Sequence, residues 1–363
     1  MESKFLFFFV ISSFPFLSSF TQAYDFPLPP LAKGLSWTFY SSSCPNLEII
    51  VRNRLFNAFK TDIGLAAGLV RIHFHDCFVQ GCEGSVLLDG TPSAPGEQKA
   101  LPNQTLRPRA IQLIEEIRSE VERSCGRVVS CSDIATLAAR DSVLLKKKIE
   151  SNIFHPDNQS GGLYYPVPLG RRDGLTYATE QTVLNNLPSP FSNVTTLITS
   201  FASKNLDVTD LVALSGAHTF GIGHCPAFTP RLYPTTDPTM DESFASRLRV
   251  TCPKTDSPNS TPLDVRTPDA FDNKYYVNLK NRQGLFTSDQ GLQNDARTRG
   301  IVNQFATDQM AFFERFVVGM VKMGQLGVLT GNQGEIRRRC GVRNSVGGSL
   351  GSVVREDVKV SAV

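Results

Sequence analysis

A mostly α-helical domain with long, ordered loops is what the sequence predicts, on three observations. Apolar residues recur at helical spacing along much of the chain, and extended alternating segments are scarce. Clusters of Pro, Gly, Asn and Ser at 89–105, 156–174 and 253–273 separate the periodic runs and read as loops. The helical runs, in order, are Leu47–Lys60, Ala110–Val121, Ser132–Leu144, Val194–Ser203, Thr209–Leu214 and Phe305–Met323. Ser132 and Thr209 are expected N-caps, and Asp133 and Asp210 suit the positive end of the helix each would open. No internal repeat is evident.

The chain has 363 residues, 41% hydrophobic and 20% charged, an ordinary globular composition that fits one large domain or two small ones. A net charge of +3 with scattered Lys and Arg gives no nucleic-acid footprint. The runs Lys146–Lys148 and Arg337–Arg339 are expected on solvated surfaces. At the N-terminus Lys4 precedes a short apolar stretch that ends on Ala23, the pattern of a secretory signal peptide over residues 1–23. Interrupting serines and Pro15 argue against a membrane-spanning helix, and no other segment is long and apolar enough to be one. Eight cysteines in a secreted chain suggest four disulfides, with the pairing open on sequence alone. A zinc site is disfavoured because the close pair Cys77 and Cys82 lacks the usual spacing and a matching partner pair. Asn-x-Ser/Thr sequons at Asn103, Asn158, Asn193 and Asn259 fit secretion.

Arg71-Ile72-His73-Phe74-His75-Asp76-Cys77-Phe78 concentrates the chemistry. The preceding stretch from Asp62 is apolar and helical in character. If that helix continues, Arg71 and His75 share a face one turn apart. A neutral imidazole there can take a proton from bound substrate while the guanidinium stabilises the negative charge that develops. Taken alone, the pair more often marks a solvated helix face. His218 lies in Leu214-Ser-Gly-Ala-His-Thr-Phe-Gly, at the end of the helix opened near Thr209. Gly216, Ala217 and Gly221 are expected to clear space there for a flat, bulky partner. The bland alternative is a histidine satisfied by a helix C-terminus.

Two distant motifs decide between these readings. RIHFHDCFVQGCEGSVLLD (Arg71–Asp89) and LVALSGAHTFGIGHC (Leu211–Cys225) resemble the two histidine signatures of the secreted plant (class III) haem peroxidases. The resemblance runs from about Ser36 to Cys340, through VVSCSDIATLAARDSV (Val128–Val143), VPLGRRDG (Val167–Gly174) and FDNKYYVNL (Phe271–Leu279). It implies the haem peroxidase fold over residues 24–345: two helical lobes with one haem b between them, and two calcium ions. His218 would be the iron's axial ligand, with Asp289 accepting its other N–H. On the opposite face His75 would relay the proton of hydrogen peroxide, with Arg71 stabilising charge. Asn103 would hold His75 as a base, which requires burial and discounts its sequon. Phe74 would shield the reactive face and direct donors to the haem edge.

The same resemblance implies a first calcium site from Asp76, Glu83 and Ser85 side chains with Val79 and Gly81 carbonyls. A second would draw on Thr219, Asp264, Thr267 and Asp272, with the Ala270 carbonyl. Glu97 would link the first calcium shell to Asn103, and Pro168 would sit at the mouth where phenolic donors dock. The implied disulfides are Cys44–Cys125, Cys77–Cys82, Cys131–Cys340 and Cys225–Cys252. The expected activity is reduction of hydrogen peroxide with one-electron oxidation of phenols, by a monomer in the cell wall or vacuole. A non-catalytic, calcium-dependent wall-binding glycoprotein and a secreted hydrolase are the rivals, the latter without a G-x-S-x-G nucleophile. Three departures from the family pattern stand out: Glu83 in place of aspartate, an insertion at 144–160, and the Gly/Ser/Val-rich tail 346–363, expected to be flexible.

Overall fold

Helix α1 (Leu47–Thr61) forms because Leu47, Val51, Leu55 and Phe59 recur every four residues and line one buried stripe. Helix α2 (Leu65–Val79) has no such stripe, since residues on almost every side of it are buried. It is enclosed by α1, α3 (Pro108–Cys125) and α4 (Cys131–Leu145). Pro108 occupies the first turn of α3, where its missing N–H costs nothing. Gly126, at φ +74°, ends that helix. These four helices make one lobe. The computed structural model describes residues 26–145 and 161–344, so the expected leader, nearly all of the 144–160 insertion, Asn158 and the tail lie outside the described residues.

Helices α5 (Glu180–Asn186) and α6 (Val194–Ala202) bridge to the second lobe, α5 packing on α2 and α6 on α7 (Val208–Ser215). After α8 (Glu242–Thr251), the helices α9 (Lys274–Lys280), α10 (Thr287–Asn294), α11 (Ala296–Thr307) and α12 (Gln309–Met323) complete that lobe. Helix α12 packs on α7 and also reaches α2, so one hydrophobic core runs through both lobes. Strands β1 (Ile222–His224) and β2 (Ser260–Pro262) pair antiparallel, Gly223 opposite Thr261. A smaller cluster around Phe228, Leu232, Phe244 and Leu248 packs beside the Cys225–Cys252 bridge. All four implied disulfides are formed. Among the described residues no helix is long and apolar enough to cross a membrane.

The helix positions follow the hydrophobic pattern, but three local expectations are corrected. The cap of α4 is Ser130, whose hydroxyl accepts from Asp133 N at 3.1 Å, rather than Ser132. The cap of α7 is Asp207, in a reciprocal capping box with Asp210, rather than Thr209. The single amphipathic run Phe305–Met323 is two helices, broken where Asp308 turns extended and its carboxylate accepts from Ala311 N. Short polar side chains compete for the backbone, and hydrophobic spacing alone does not register that.

Arg337 is a fourth correction, because it is fully buried instead of solvated. Its guanidinium donates to the carbonyls of Gly84, Gly174 and Cys340, at 2.6, 2.7 and 3.1 Å. Asp173 accepts from the backbone of Cys131, Ser132 and Arg337, tying the VPLGRRDG segment to the start of α4 and to the chain's C-terminal end. Arg171 pairs with Asp133 at 2.8 Å, both fully buried, and also holds the Gly324 carbonyl. Removing one member leaves desolvated partners behind. Arg337→Ala is expected to cost about 3–5 kcal/mol, read as a lowered denaturant midpoint at unchanged slope.

Candidate active site

Because α2 is regular through Val79, Arg71 and His75 meet on one face, Arg71 Nε donating to His75 Nε2 at 3.2 Å. The remaining Arg71 donors are held by the Pro102 and Thr105 carbonyls and the Thr105 hydroxyl, at 2.8, 3.0 and 2.9 Å. These contacts fix the guanidinium in one plane. Burial pulls its pKa down to about 10, so it stays cationic at neutral pH.

His75 Nδ1 lies 2.5 Å from Asn103 Oδ1, and Asn103 Nδ2 donates to the Glu97 carbonyl at 2.8 Å. The second bond orients the amide, so its oxygen faces the ring and His75 must carry its proton on Nδ1. Nε2 is left as the basic atom. Burial, and then the Arg71 charge, push the His75 pKa down to about 3 although the Asn103 bond raises it. The ring is therefore a neutral base across the ordinary pH range. Phe74 packs edge-on against it, centroids 5.3 Å apart.

His218 sits in the one-turn helix Gly216–Thr219 that follows α7. Its Nδ1 is 2.7 Å from Asp289 Oδ1, which also accepts from the Tyr275 hydroxyl at 2.9 Å. The other Asp289 oxygen accepts from Phe286 N at 2.9 Å. Asp289 is almost wholly buried while the His218 side chain is 37% exposed. No hydrogen bond engages Nε2 among the described residues, so that nitrogen is available as a ligand. Arg71 lowers the pKa of His224, after burial, which places the first-lobe cation and the strand after His218 within electrostatic reach.

The expected open space around His218 does not come from its glycines. A Cβ on Gly216 would lie 2.3 Å from the Tyr276 hydroxyl, and one on Gly221 3.0 Å from Ala67 Cβ. Gly221 also holds φ +99°. Both are small because protein packs against them.

The residue set for the first calcium site converges beyond the C-terminal end of α2. Asp76 Oδ2 accepts from Gly84 N at 2.9 Å, with Oδ1 at 3.5 Å from Val86 N. Ser85 Oγ and Glu97 Oε2 are buried without a well-formed hydrogen bond. Burial, followed by the charges of Glu97 and Glu83, raises the Asp76 pKa to about 8. Buried carboxylates that repel one another beside oxygens lacking donors fit a hard cation. The Val79 and Gly81 carbonyls lie on the same loop, pinned by Cys77–Cys82. Glu83 is accommodated by Gly174, whose missing Cβ would fall 2.5 Å from its carboxylate, and Gln80 donates to Glu83 at 2.8 Å. Glu97 reaches Asn103 through its main-chain carbonyl, while its carboxylate accepts from Ala178 N at 2.7 Å.

The second set is equally local. Thr219, the neighbour of His218, lies 3.3 Å from Asp264 and 3.2 Å from Asp272. Thr267 donates to Asp272 at 3.1 Å, and Ala270 N bonds the Thr267 carbonyl on the same loop. Burial, and more weakly Asp264, raises the Asp272 pKa. Asp264 also accepts from the Arg266 and Thr267 amides, and Asp272 from Lys274 N; two carboxylates clustered with hydroxyl oxygens again suit a cation.

Pro168 is buried, and its carbonyl accepts from Arg171 at 2.5 Å. Nothing along the chain singled out Thr105, Tyr275 or Asn278, the last donating to Asp264 at 2.7 Å. The YY pair in the FDNKYYVNL motif was the available signal for Tyr275. His73, Cys77 and Cys82 also cluster, but both sulfurs are spent in a disulfide and cannot bind a metal.

The peroxidase family model matches residues 51–308. This chain belongs to the peroxidase family. It is 58% identical to Peroxidase 12 of Arabidopsis thaliana, over 91% of this chain and 88% of that protein. It is 55% identical to the cationic peroxidase SPC4 of Sorghum bicolor, over 89% and 85%, and 43% identical to Arabidopsis Peroxidase 10, over 86% and 87%. The peroxidase is thus an oxidoreductase of a family that uses haem and calcium. For the calcium-free peroxidase, Asp76 keeps its proton up to about pH 8 when folded but releases it near 3.8 when unfolded. Stability should therefore fall as pH rises through that window. Calcium should restore it, by about 2.7 kcal/mol per site at about 100 times its Kd, measured as melting temperature with calcium and with chelator.

Proposed function

We propose that this enzyme reduces hydrogen peroxide to water at a single haem b and draws the electrons from two phenolic donors in succession. The contrast between the two imidazoles carries the reading. His218 donates an Nδ1–H hydrogen bond to a carboxylate, Asp289, and His75 donates its own to a neutral amide, Asn103. A carboxylate partner pushes electron density onto the far nitrogen and suits it to hold iron. An amide partner orients the ring without adding charge, and suits it to accept and return a proton.

Haem, when bound by His218 Nε2, supplies the redox-active iron that takes two oxidising equivalents from peroxide. His75 Nε2 accepts a proton from one peroxide oxygen and hands it to the other, which leaves as water. Arg71 offers a fixed positive charge to the oxygen that becomes electron-rich as the O–O bond breaks. Phe74 stands beside His75 and keeps donors from that face, so they react at the haem edge. Each phenol gives up one electron and its hydroxyl proton, and two such turns return the enzyme to its resting state. Asp76, Val79, Gly81, Glu83 and Ser85 would hold one calcium ion; Thr219, Asp264, Thr267, Ala270 and Asp272 would hold the other. Secretion with cleavage after Ala23, a monomeric enzyme, a catalytic domain over 24–345 and a wall or vacuolar location complete the proposal.

A purified sample should show a Soret band that falls and shifts with one equivalent of peroxide. His75→Leu should slow the peroxide step by at least roughly 10²–10⁴-fold with haem retained; an unchanged rate would refute the relay. His218→Ala should lower the haem content per protein, and normal content would count against the ligand. Rapid-mixing rates should hold steady below pH 6 and fall only near pH 3, where His75 is protonated; a drop centred near its ordinary pKa would contradict the buried base.

A further inference from the structure

Donors from three segments converge on the Asp289 carboxylate, and they are divided unevenly between its oxygens. Oδ2 accepts from Phe286 N at 2.9 Å. Oδ1 accepts twice, from His218 Nδ1 at 2.7 Å and from the Tyr275 hydroxyl at 2.9 Å. The phenol therefore competes with the imidazole for one oxygen. An ionised carboxylate can only accept, so the hydroxyl proton lies between Tyr275 and Asp289. Burial, and then the charge of Asp289, push the Tyr275 pKa well above its ordinary value, and the hydroxyl keeps the proton it donates.

The fold holds Tyr275 firmly in that place. It is the second residue of α9, and the chain entering the helix is fixed on both sides. Asn273 Nδ2 donates to the Phe305 and Ala306 carbonyls at 3.0 and 3.1 Å, and Asp272 accepts from Lys274 N at 2.8 Å. The Tyr275 ring stands edge-on to His218, centroids 6.1 Å apart, and edge-on to Tyr276 at 5.0 Å. Tyr276 is also buried, but its hydroxyl donates to the Val212 carbonyl at 2.9 Å. Of these two neighbours, Tyr275 is the one that reaches the carboxylate.

A hydrogen bond to a charged group stabilises the charge and lowers its affinity for a further proton. With the phenol drawing on Oδ1, Asp289 pulls less strongly on the His218 Nδ1 proton, and less electron density reaches Nε2. We propose that Tyr275 is a positioning residue of the reaction, whose hydroxyl weakens the Asp289–His218 bond and so raises the reduction potential of haem bound at His218. Second-sphere hydrogen bonding is one of the levers by which a protein sets that potential. The inference rests on His218 as the axial ligand, as proposed above. Tyr275 acts through Asp289 and His218, not on peroxide or donor.

The haem-loaded, full-length enzyme provides the test. Its ferric–ferrous potential and the iron–histidine stretching band of its ferrous form are measured in the parent, Tyr275→Phe, Tyr275→3-fluorotyrosine and Tyr276→Phe. Tyr275→Phe removes the competing donor. Its one-electron equilibrium should shift towards the ferric form by roughly tenfold, or ~59 mV more negative, with the band moved to higher frequency. Tyr275→3-fluorotyrosine keeps the ring and is a more acidic, stronger donor, so both readings should move the opposite way. Tyr276→Phe also loses a buried hydroxyl and should move neither, which separates tuning from loosened packing. Unchanged readings in both Tyr275 variants, shifts of the same sign, or an equal shift in Tyr276→Phe overturn the inference. If Tyr275→Phe loses haem, the sign of the shift in the fluorinated variant decides alone. A parent without an iron–histidine band, or a band that survives His218→Ala, faults the axial assignment itself.

Discussion

Helix α2 is buried on nearly all sides yet carries Arg71, His73, His75 and Asp76. His73, His75 and Asp76 are buried and Arg71 half-buried, so the protein must satisfy most of their hydrogen bonds, and much of the first lobe is arranged to that end. The loop at 97–105 turns inward to present the Pro102 and Thr105 carbonyls to Arg71 and an amide to His75. The loop after Val79 folds back to offer backbone N–H groups to Asp76. His73 is held uncharged, its pKa pushed down to about 3 by burial and by Arg171. The cost of desolvating one helix thus explains both the long ordered loops and the rigidity of the catalytic groups.

The second lobe applies the same economy to a more exposed imidazole. Asp289 is buried and triply bonded, by His218, Tyr275 and Phe286 N, so its charge is fixed in direction. Thr219 follows His218 directly and lies among the carboxylates of the second calcium set. A cation bound there would hold the backbone that carries the ligand. In the first lobe, Asp76 follows His75 in the same way. Each histidine is therefore one peptide bond from a residue of a proposed cation set, so an ion bound there would be coupled directly to the position of the imidazole.

Glu83 shows how a local departure is absorbed. Its longer side chain fits because Gly174 leaves room and Gln80 donates to it. Gly174 closes the VPLGRRDG segment, whose Asp173 and Arg171 anchor α4 and the chain's C-terminal end. That segment had no chemical role legible in its residues. Its charged side chains turn out to be interior fasteners, as is Arg337, which sits within a basic run that reads as surface. Charge is a poor guide to exposure when a guanidinium can donate to several buried carbonyls at once.

By itself the sequence determined the helical class, the places of the main helices and the family. Those properties are written in periodicity and in contiguous motifs, both local along the chain. It also placed Arg71 and His75 on one face, because helix geometry fixes residues four apart. Only the tertiary structure decided which atom of each imidazole is free, since Asn103 and Asp289 lie 28 and 71 residues away from their partners. It likewise moved two helix caps and buried Arg337. Hydrogen-bond partners and burial depend on contacts between distant segments, and no spacing along the chain encodes which carbonyl a buried side chain will meet.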